Sequence, residues 1–371
     1  MADATLQAVV DAVRDAAEHR RPVRLVGGGT KDFYGGGLRG EPLDLKPLAG
    51  ISAYEPTELV VTVRAGTPLA ELEAALAEQG QCLPFEPPRF GAGSAEAGSS
   101  GGTVGGMVAA GLAGPARGAV GGVRDYVLGA TLINGRGEVL SFGGQVMKNV
   151  AGYDVSRSLA GSMGQLGVIA EVSLKVLPIA PGRLTLRFDM DQANALRHVN
   201  EWAGQALPLS ASAWWDGALI LRLQGAQAAV ASAAQRLGGE PIQAELANGF
   251  WADLRDQRDE FFSQAAEAVV GGARLWRLSV AATAPRIELP CEQLVEWGGA
   301  QRWLVTDAPP ATVRALAAEA LGHATVWRGD KTGGAFHPLP PVQQRLQRAL
   351  KAAFDPWGVF NPGRLDNLDA A

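Results

Sequence analysis

The chain has 371 residues, 47% apolar and only 19% charged, with 33 Lys and Arg against 38 Asp and Glu for a net charge of −5. This is the composition of a soluble protein of about two or three folded units, and it excludes a disordered or low-complexity chain. The mild acidity also argues against nucleic acid as a partner, since no basic field draws phosphates in.

From the N-terminus, Met1-Ala2-Asp3 lacks the basic-then-apolar run of a signal peptide. No apolar stretch approaches the ~18 residues that span a bilayer, so the cytoplasm is the expected compartment. Leu6, Val9, Val10, Val13 and Ala17 recur at helical spacing between Thr5 and Arg20, and Val23–Val26 then reads as a strand. Seven glycines follow between Gly27 and Gly40. Leu59–Val63 is a β-branched strand, and Thr67-Pro68 opens a helix carried by Leu69, Leu72 and Leu76 and stopped by Gly80. A second cluster, thirteen glycines between Gly91 and Gly129, carries almost no bulky side chain. Two apolar runs from Val127 to Leu140 flank Asn134-Gly135-Arg136-Gly137, a hairpin signal, and Gly167–Leu177 alternates as a further strand.

After Pro181 glycine thins, and eight of the nine tryptophans lie between Trp202 and Trp327. Strands at Leu184–Phe188, Ser210–Trp215 and Ala218–Leu223, with helices at Gln192–Trp202 and Ala226–Leu237, make a separate α+β module. Arg274–Val280, Arg302–Thr306 and the helix Ala311–Ala320 look like a second, similar half, although no sequence repeat is clear. The tryptophans are either core or a partner surface. Val342–Phe354 is an amphipathic helix broken at Asp355-Pro356-Trp357-Gly358.

Gly27-Gly28-Gly29-Thr30-Lys31, directly after a strand, can turn successive backbone N–H groups into one concavity suited to a diphosphate; a tight turn is the alternative. The loop matches neither G-x-G-x-x-G nor the phosphate loop ending in Gly-Lys-Ser/Thr. The second stretch, Gly101-Gly102-Thr103-Val104-Gly105-Gly106, points to a long, flat ligand approached by backbone from both sides.

Five segments occur in a telling order: Val23–Thr30, Gly101–Gly106, Arg124-Asp125-Tyr126-Val127-Leu128-Gly129, Lys148-Asn149-Val150-Ala151-Gly152-Tyr153-Asp154 and Gly161–Ile169. With the ending Phe354–Arg364, they resemble the FAD-binding domain of the vanillyl-alcohol oxidase and D-lactate dehydrogenase flavoproteins over residues 20–180 and 345–364. Within that family the chain is similar to the smaller, flavin-domain (E-type) subunits of bacterial glycolate oxidases.

The resemblance implies an α+β fold in three parts: an FAD-binding domain (1–180), an α+β cap or partner-binding domain (181–340), and a C-terminal helix and tail (341–371) returning to the FAD domain. It implies that Gly27, Gly28, Gly29, Thr30 and Lys31 wrap the pyrophosphate, with Gly102, Thr103, Gly105 and Gly106 opposite. Gly161, Ser162 and Gly164 are the matching Gly-Ser-x-Gly segment, followed by Val168, whose backbone then faces the adenine or ribityl part. Family members with covalent FAD use a His beside the first loop or a Cys elsewhere; here the loop reads Thr30-Lys31-Asp32-Phe33, so the FAD is expected to be non-covalent.

The expected function is the FAD-binding subunit of a glycolate oxidase, a 2-hydroxy-acid dehydrogenase working with a larger catalytic flavoprotein and an iron–sulfur subunit. A non-catalytic structural subunit and a stand-alone FAD-dependent oxidoreductase of another substrate are the alternatives. Attachment at the inner membrane would come through the complex, not through a span of this chain. Cys82 and Cys291 are the only cysteines, so an iron–sulfur relay needs another subunit, and no metal site is expected. The histidines, His19, His198, His323 and His337, form no closely spaced pair of the kind that substrate-oxidising relatives carry. Lys148 and His337 are the catalytic candidates, and Arg124-Asp125 reads as a local ion pair supporting the glycine cluster, with direct catalysis the alternative.

Overall fold

The computed structural model describes residues 3–91, 101–144 and 154–365. The chain divides into two compact units, one of Met1–Leu112, Gly122–Pro178 and Pro338–Ala371, the other of Ala113–Gly121 and Ile179–His337. Nothing in the sequence marks Ala113–Gly121 as part of the second unit. No described helix is long and apolar enough to cross a membrane.

In the first unit, Asp3 caps the helix Ala4–Glu18 by accepting from the Thr5 and Leu6 amides. Its Val9, Val10, Val13 and Ala16 are buried in one cluster with Val23, Ile133, Val168, Val359 and Phe360. The strand Val23–Val26 pairs in parallel with Glu41–Asp44, and the glycine loop is the crossover that parallel pairing requires. Glu41–Asp44 is mostly exposed and carries no alternating pattern, which hides it from sequence reading. Beside this pair lies an antiparallel sheet in the order Ile51–Glu55, Val60–Arg64, Val168–Lys175, Val127–Ile133, Val139–Gly143. The expected Val127–Leu140 hairpin is its last pair, with the Asn134 side chain accepting from the Arg136 and Glu138 amides.

The second glycine stretch is not loop throughout: Val104–Ala110 is a helix. Thr103 caps it, its Oγ1 accepting from Gly106 N at 3.2 Å. Gly105 is required because a Cβ there would stand 2.6 Å from that of Ala65. Asp125 forms no ion pair with Arg124 among the described residues; it accepts instead from Gly122 N, closing its own turn.

The second unit is an eight-stranded antiparallel sheet in the order Glu240–Ile242, Gly182–Asp189, Ala218–Gly225, Leu209–Trp215, Glu292–Glu296, Gln301–Thr306, Arg274–Ser279, His323–Arg328. Numbered within each half, the order is fourth, first, third, second and then second, third, first, fourth. The two halves therefore share one topology and meet edge to edge where Trp214 pairs with Val295. The second half lacks a counterpart of the helix Gln192–Ala203, its first two strands being joined through Val280–Cys291 without one. Helices Ala244–Asp256 and Glu260–Val270 connect the halves. Of the two readings left open for the tryptophans, core holds for Trp251, Trp276, Trp297, Trp303 and Trp327, which are buried, while Trp202, Trp214 and Trp215 are half-buried.

Candidate functional site

The strand Val23–Val26 ends at Gly27, and the chain turns at once against the Gly102–Thr103 segment. A Cβ on Gly28 would lie 2.9 Å from Gly102 Cα, so the two backbones touch where neither has a side chain. Gly29 and Gly102 both take φ in the left-handed region, +67° and +102°. The amides of Gly28, Gly29 and Thr30 donate to no acceptor among the described residues, which leaves a row of N–H groups lining a cleft.

That cleft is also lined by Arg24, Lys31 and Arg364, with Asp32 as its acidic member. Asp32 stands 3.5 Å from Arg24 Nη1. Burial is the main influence pulling the Arg364 guanidinium below its ordinary value, with Asp32 opposing and Arg24 adding to the fall. A second cavity shares Gly27, Thr103, Gly106, Ala109 and Asn361 with the first and runs on to Gly105, Gly164 and Gly167. Together they line one groove, basic at the glycine loop and mostly apolar toward Ile169. Amide donors and cations at one end, with close backbone walls along the rest, suit a long ligand carrying a diphosphate, so the residues present fit FAD.

Of the residues expected to hold a cofactor, Gly27, Gly28, Gly29, Thr30, Lys31, Gly102, Thr103, Gly105, Gly106 and Gly164 line this groove. Gly161, Ser162 and Val168 do not line it. Gly161 N donates to Val108 O and Met163 N to Ala109 O, bracing the helix that forms one wall. The Val168 side chain lies in the core beneath the sheet, so only its backbone is left to approach a ligand.

Lys148 lies outside the described residues. His337 belongs to the second unit, where its Nδ1 accepts from Ala324 N at 3.4 Å. Burial holds His323 below its ordinary value, and the nearby Arg277 and His337 add to that fall. His337 therefore sits against the backbone of the strand that carries His323. No group of three or more His, Cys, Asp or Glu able to hold a metal occurs among the described residues.

Sequence reasoning assigned no role to Arg24, Asn361 or Arg364. Asn361 Oδ1 accepts from Leu25 N at 2.7 Å, and its Nδ2 donates to Met163 O at 2.7 Å. The signal lay in the quoted ending Asn361-Pro362-Gly363-Arg364: a polar pair around a turn, too distant in sequence for its partners to be read.

Residues 4–143 match the family model described as an FAD binding domain. Over 97% of both chains, the sequence is 45% identical to the glycolate oxidase subunit GlcE of Escherichia coli. Two further relatives match over part of their length. D-lactate dehydrogenase of Anaerostipes hadrus is 32% identical over 44% of this chain and 31% of its own. Glycolate oxidase subunit GlcD of Bacillus subtilis is 31% identical over 46% of this chain and 35% of its own. Among solved structures, an alkyldihydroxyacetonephosphate synthase superposes with a TM-score of 0.62 over 96% of this chain and 74% of that one; at 15% identity this speaks to fold alone.

Proposed function

Because this chain belongs to the FAD-binding flavoproteins, within them to the family of the glycolate oxidase subunit GlcE, we propose that it is the FAD-binding subunit of a glycolate oxidase complex oxidising glycolate to glyoxylate. The observation that carries this reading is the groove in which Gly28 meets Gly102 beside Arg24, Lys31 and Arg364. Gly27, Gly28, Gly29, Thr30 and Lys31 with Gly102, Thr103 and Gly106 hold the diphosphate end, and Gly105 and Gly164 flank the remainder. Bound FAD supplies hydride acceptance from the α-carbon of a 2-hydroxy acid. The first loop offers no His or Cys, so the attachment is non-covalent.

The units take the roles of FAD domain, including the C-terminal segment, and cap. The larger catalytic flavoprotein and an iron–sulfur subunit complete the assembly, since two cysteines cannot ligate a cluster here. The complex works in the cytoplasm or is held by its partners at the inner membrane. A second reading, a subunit that binds FAD but turns nothing over by itself, draws support from the histidines: His19 is exposed and paired with Asp15, and His198 stacks on Trp202. Neither is placed to act as a base on a substrate.

The test is purification of the chain alone and with its neighbouring subunits, followed by an absorption spectrum and glycolate-dependent dye reduction. A flavin band that passes into solution on acid precipitation, with turnover in the assembly, is expected. A colourless chain that takes up no added FAD refutes the proposal.

A further inference from the structure

The motif Asn361-Pro362-Gly363-Arg364 sits against the glycine loop, and all its contacts described here lie within the first unit. Arg364 is only 6% exposed. Its Nη1 donates to the carbonyls of Asp32 at 3.0 Å and Gly36 at 2.8 Å. Its Nη2 donates to the carbonyls of Lys31, at 3.2 Å, and Tyr34. The tie is reciprocal, because Gly36 N donates to Arg364 O at 3.2 Å.

Four carbonyls converging on one side chain need donors that diverge in a plane, which a guanidinium has and an ammonium lacks. Between Val26 and Glu41 the loop forms neither helix nor strand, so its course depends on such ties. One end of Gly27–Thr30 is held by the strand through Asn361 and Leu25. Arg364 holds the other end, through Lys31 to Gly36. It also lines the cleft itself, adding a buried positive charge to those of Arg24 and Lys31.

We propose that Arg364 is the positioning residue of the diphosphate nest, fixing the shape of the glycine loop and part of its charge, so that affinity for FAD depends on this guanidinium. This rests on the reading of the groove as the FAD site. Arg364 acts from the far end of the chain, so the FAD site is complete only when the C-terminal segment has docked.

The experiment titrates FAD into flavin-stripped protein, read by quenching of flavin fluorescence, for wild type, R364K and R364A, with far-UV circular dichroism of each apo-protein. Loss of hydrogen bonds from a charged donor predicts a Kd raised about tenfold to a hundredfold in R364A. R364K falls between, restoring charge without the fork. Added guanidinium ion recovers FAD binding by R364A, which a merely structural defect would not allow.

Binding within about twofold of wild type in both variants overturns the proposal, as does equal loss in R364A and R364K with no guanidinium rescue. Should R364A fail to fold, R364K decides: affinity unchanged refutes, affinity reduced in a folded chain supports. A wild-type protein that binds no FAD in the same titration instead removes the flavin reading on which the proposal rests.

Discussion

Gly28 shows how much one missing side chain can decide. Its Cβ position is 2.9 Å from Gly102 Cα, and the backbone it would push against cannot yield like a flexible side chain. Gly28→Asp adds a carboxylate where the diphosphate is proposed to lie. FAD affinity is expected to fall by about a hundredfold or more, some 3 kcal/mol, in a chain whose circular dichroism is unchanged. Wild-type flavin stoichiometry in the variant would reduce the loop to a turn.

Glu296 is a residue of another kind, a buried carboxyl whose Oε2 accepts from Trp303 Nε1 at 2.6 Å and Gln301 Nε2 at 2.8 Å. Burial pushes it up to about 7 against the pull of those two donors; nearby Asp259 adds to the rise and Arg277 opposes it. Asp259 is itself raised by burial to about 6. The folded chain holds these protons more tightly than the unfolded chain does. The stability Glu296 contributes is therefore full below about 4.5 and is lost as pH climbs through about 7, and that of Asp259 is lost through about 6. Glu296→Gln should remove much of this dependence and gain on the order of 3 kcal/mol at pH 8 relative to pH 4. Parallel melting-temperature profiles of wild type and variant across that range would show that Glu296 carries no such penalty.

At the scale of elements, the C-terminal segment does more than its length suggests. Phe360 bridges to Val23 in parallel, extending the two-stranded layer that carries the glycine loop. The helix Pro341–Phe354 ends on a buried ion pair, Lys351 Nζ to Asp355 Oδ2 at 2.6 Å, and Lys351 also donates to Gln165 O and Phe360 O. Asp355 accepts in turn from the Val359 and Phe360 amides. Removing one partner leaves the other charge buried and unmatched. Lys351→Met is accordingly expected to cost about 3–5 kcal/mol in urea unfolding. A midpoint shift worth less than about 1 kcal/mol would mean that the segment is held by its apolar contacts alone.

For the whole molecule, two units with separate cores suggest a division of labour. The first brings its glycine-loop backbone, Arg24, Lys31 and Arg364 to one cleft, while the second buries tryptophans in a sheet made of two halves of one topology. Oxidation of a 2-hydroxy acid needs a base near the hydroxyl and a cation for the carboxylate. The chain is rich in candidates for the second role and poor in candidates for the first. The isolated subunit is expected to reduce dye with glycolate or D-lactate at well under a tenth of the assembled rate, about 1.4 kcal/mol or more in barrier. Equal turnover alone and in the assembly would make this chain catalytic by itself and promote His337.

The sequence determined by itself what depends on local pattern. Apolar spacing set the helix Ala4–Glu18 and most strands; Asn134-Gly135 set the hairpin; the clustered glycines marked both walls of the groove. The short, polar strand Glu41–Asp44 escaped it because it lacks alternation; the helices Ala244–Asp256 and Glu260–Val270 were also missed, although Asp259 caps the second and Phe261, Phe262 and Ala265 form its buried face. What only the tertiary structure decided is which distant groups meet: Arg364 with residues 31–36, Asn361 with Leu25 and Met163. A backbone carbonyl has no sequence signature, and a guanidinium that seeks four of them can be located only after the chain has closed on itself.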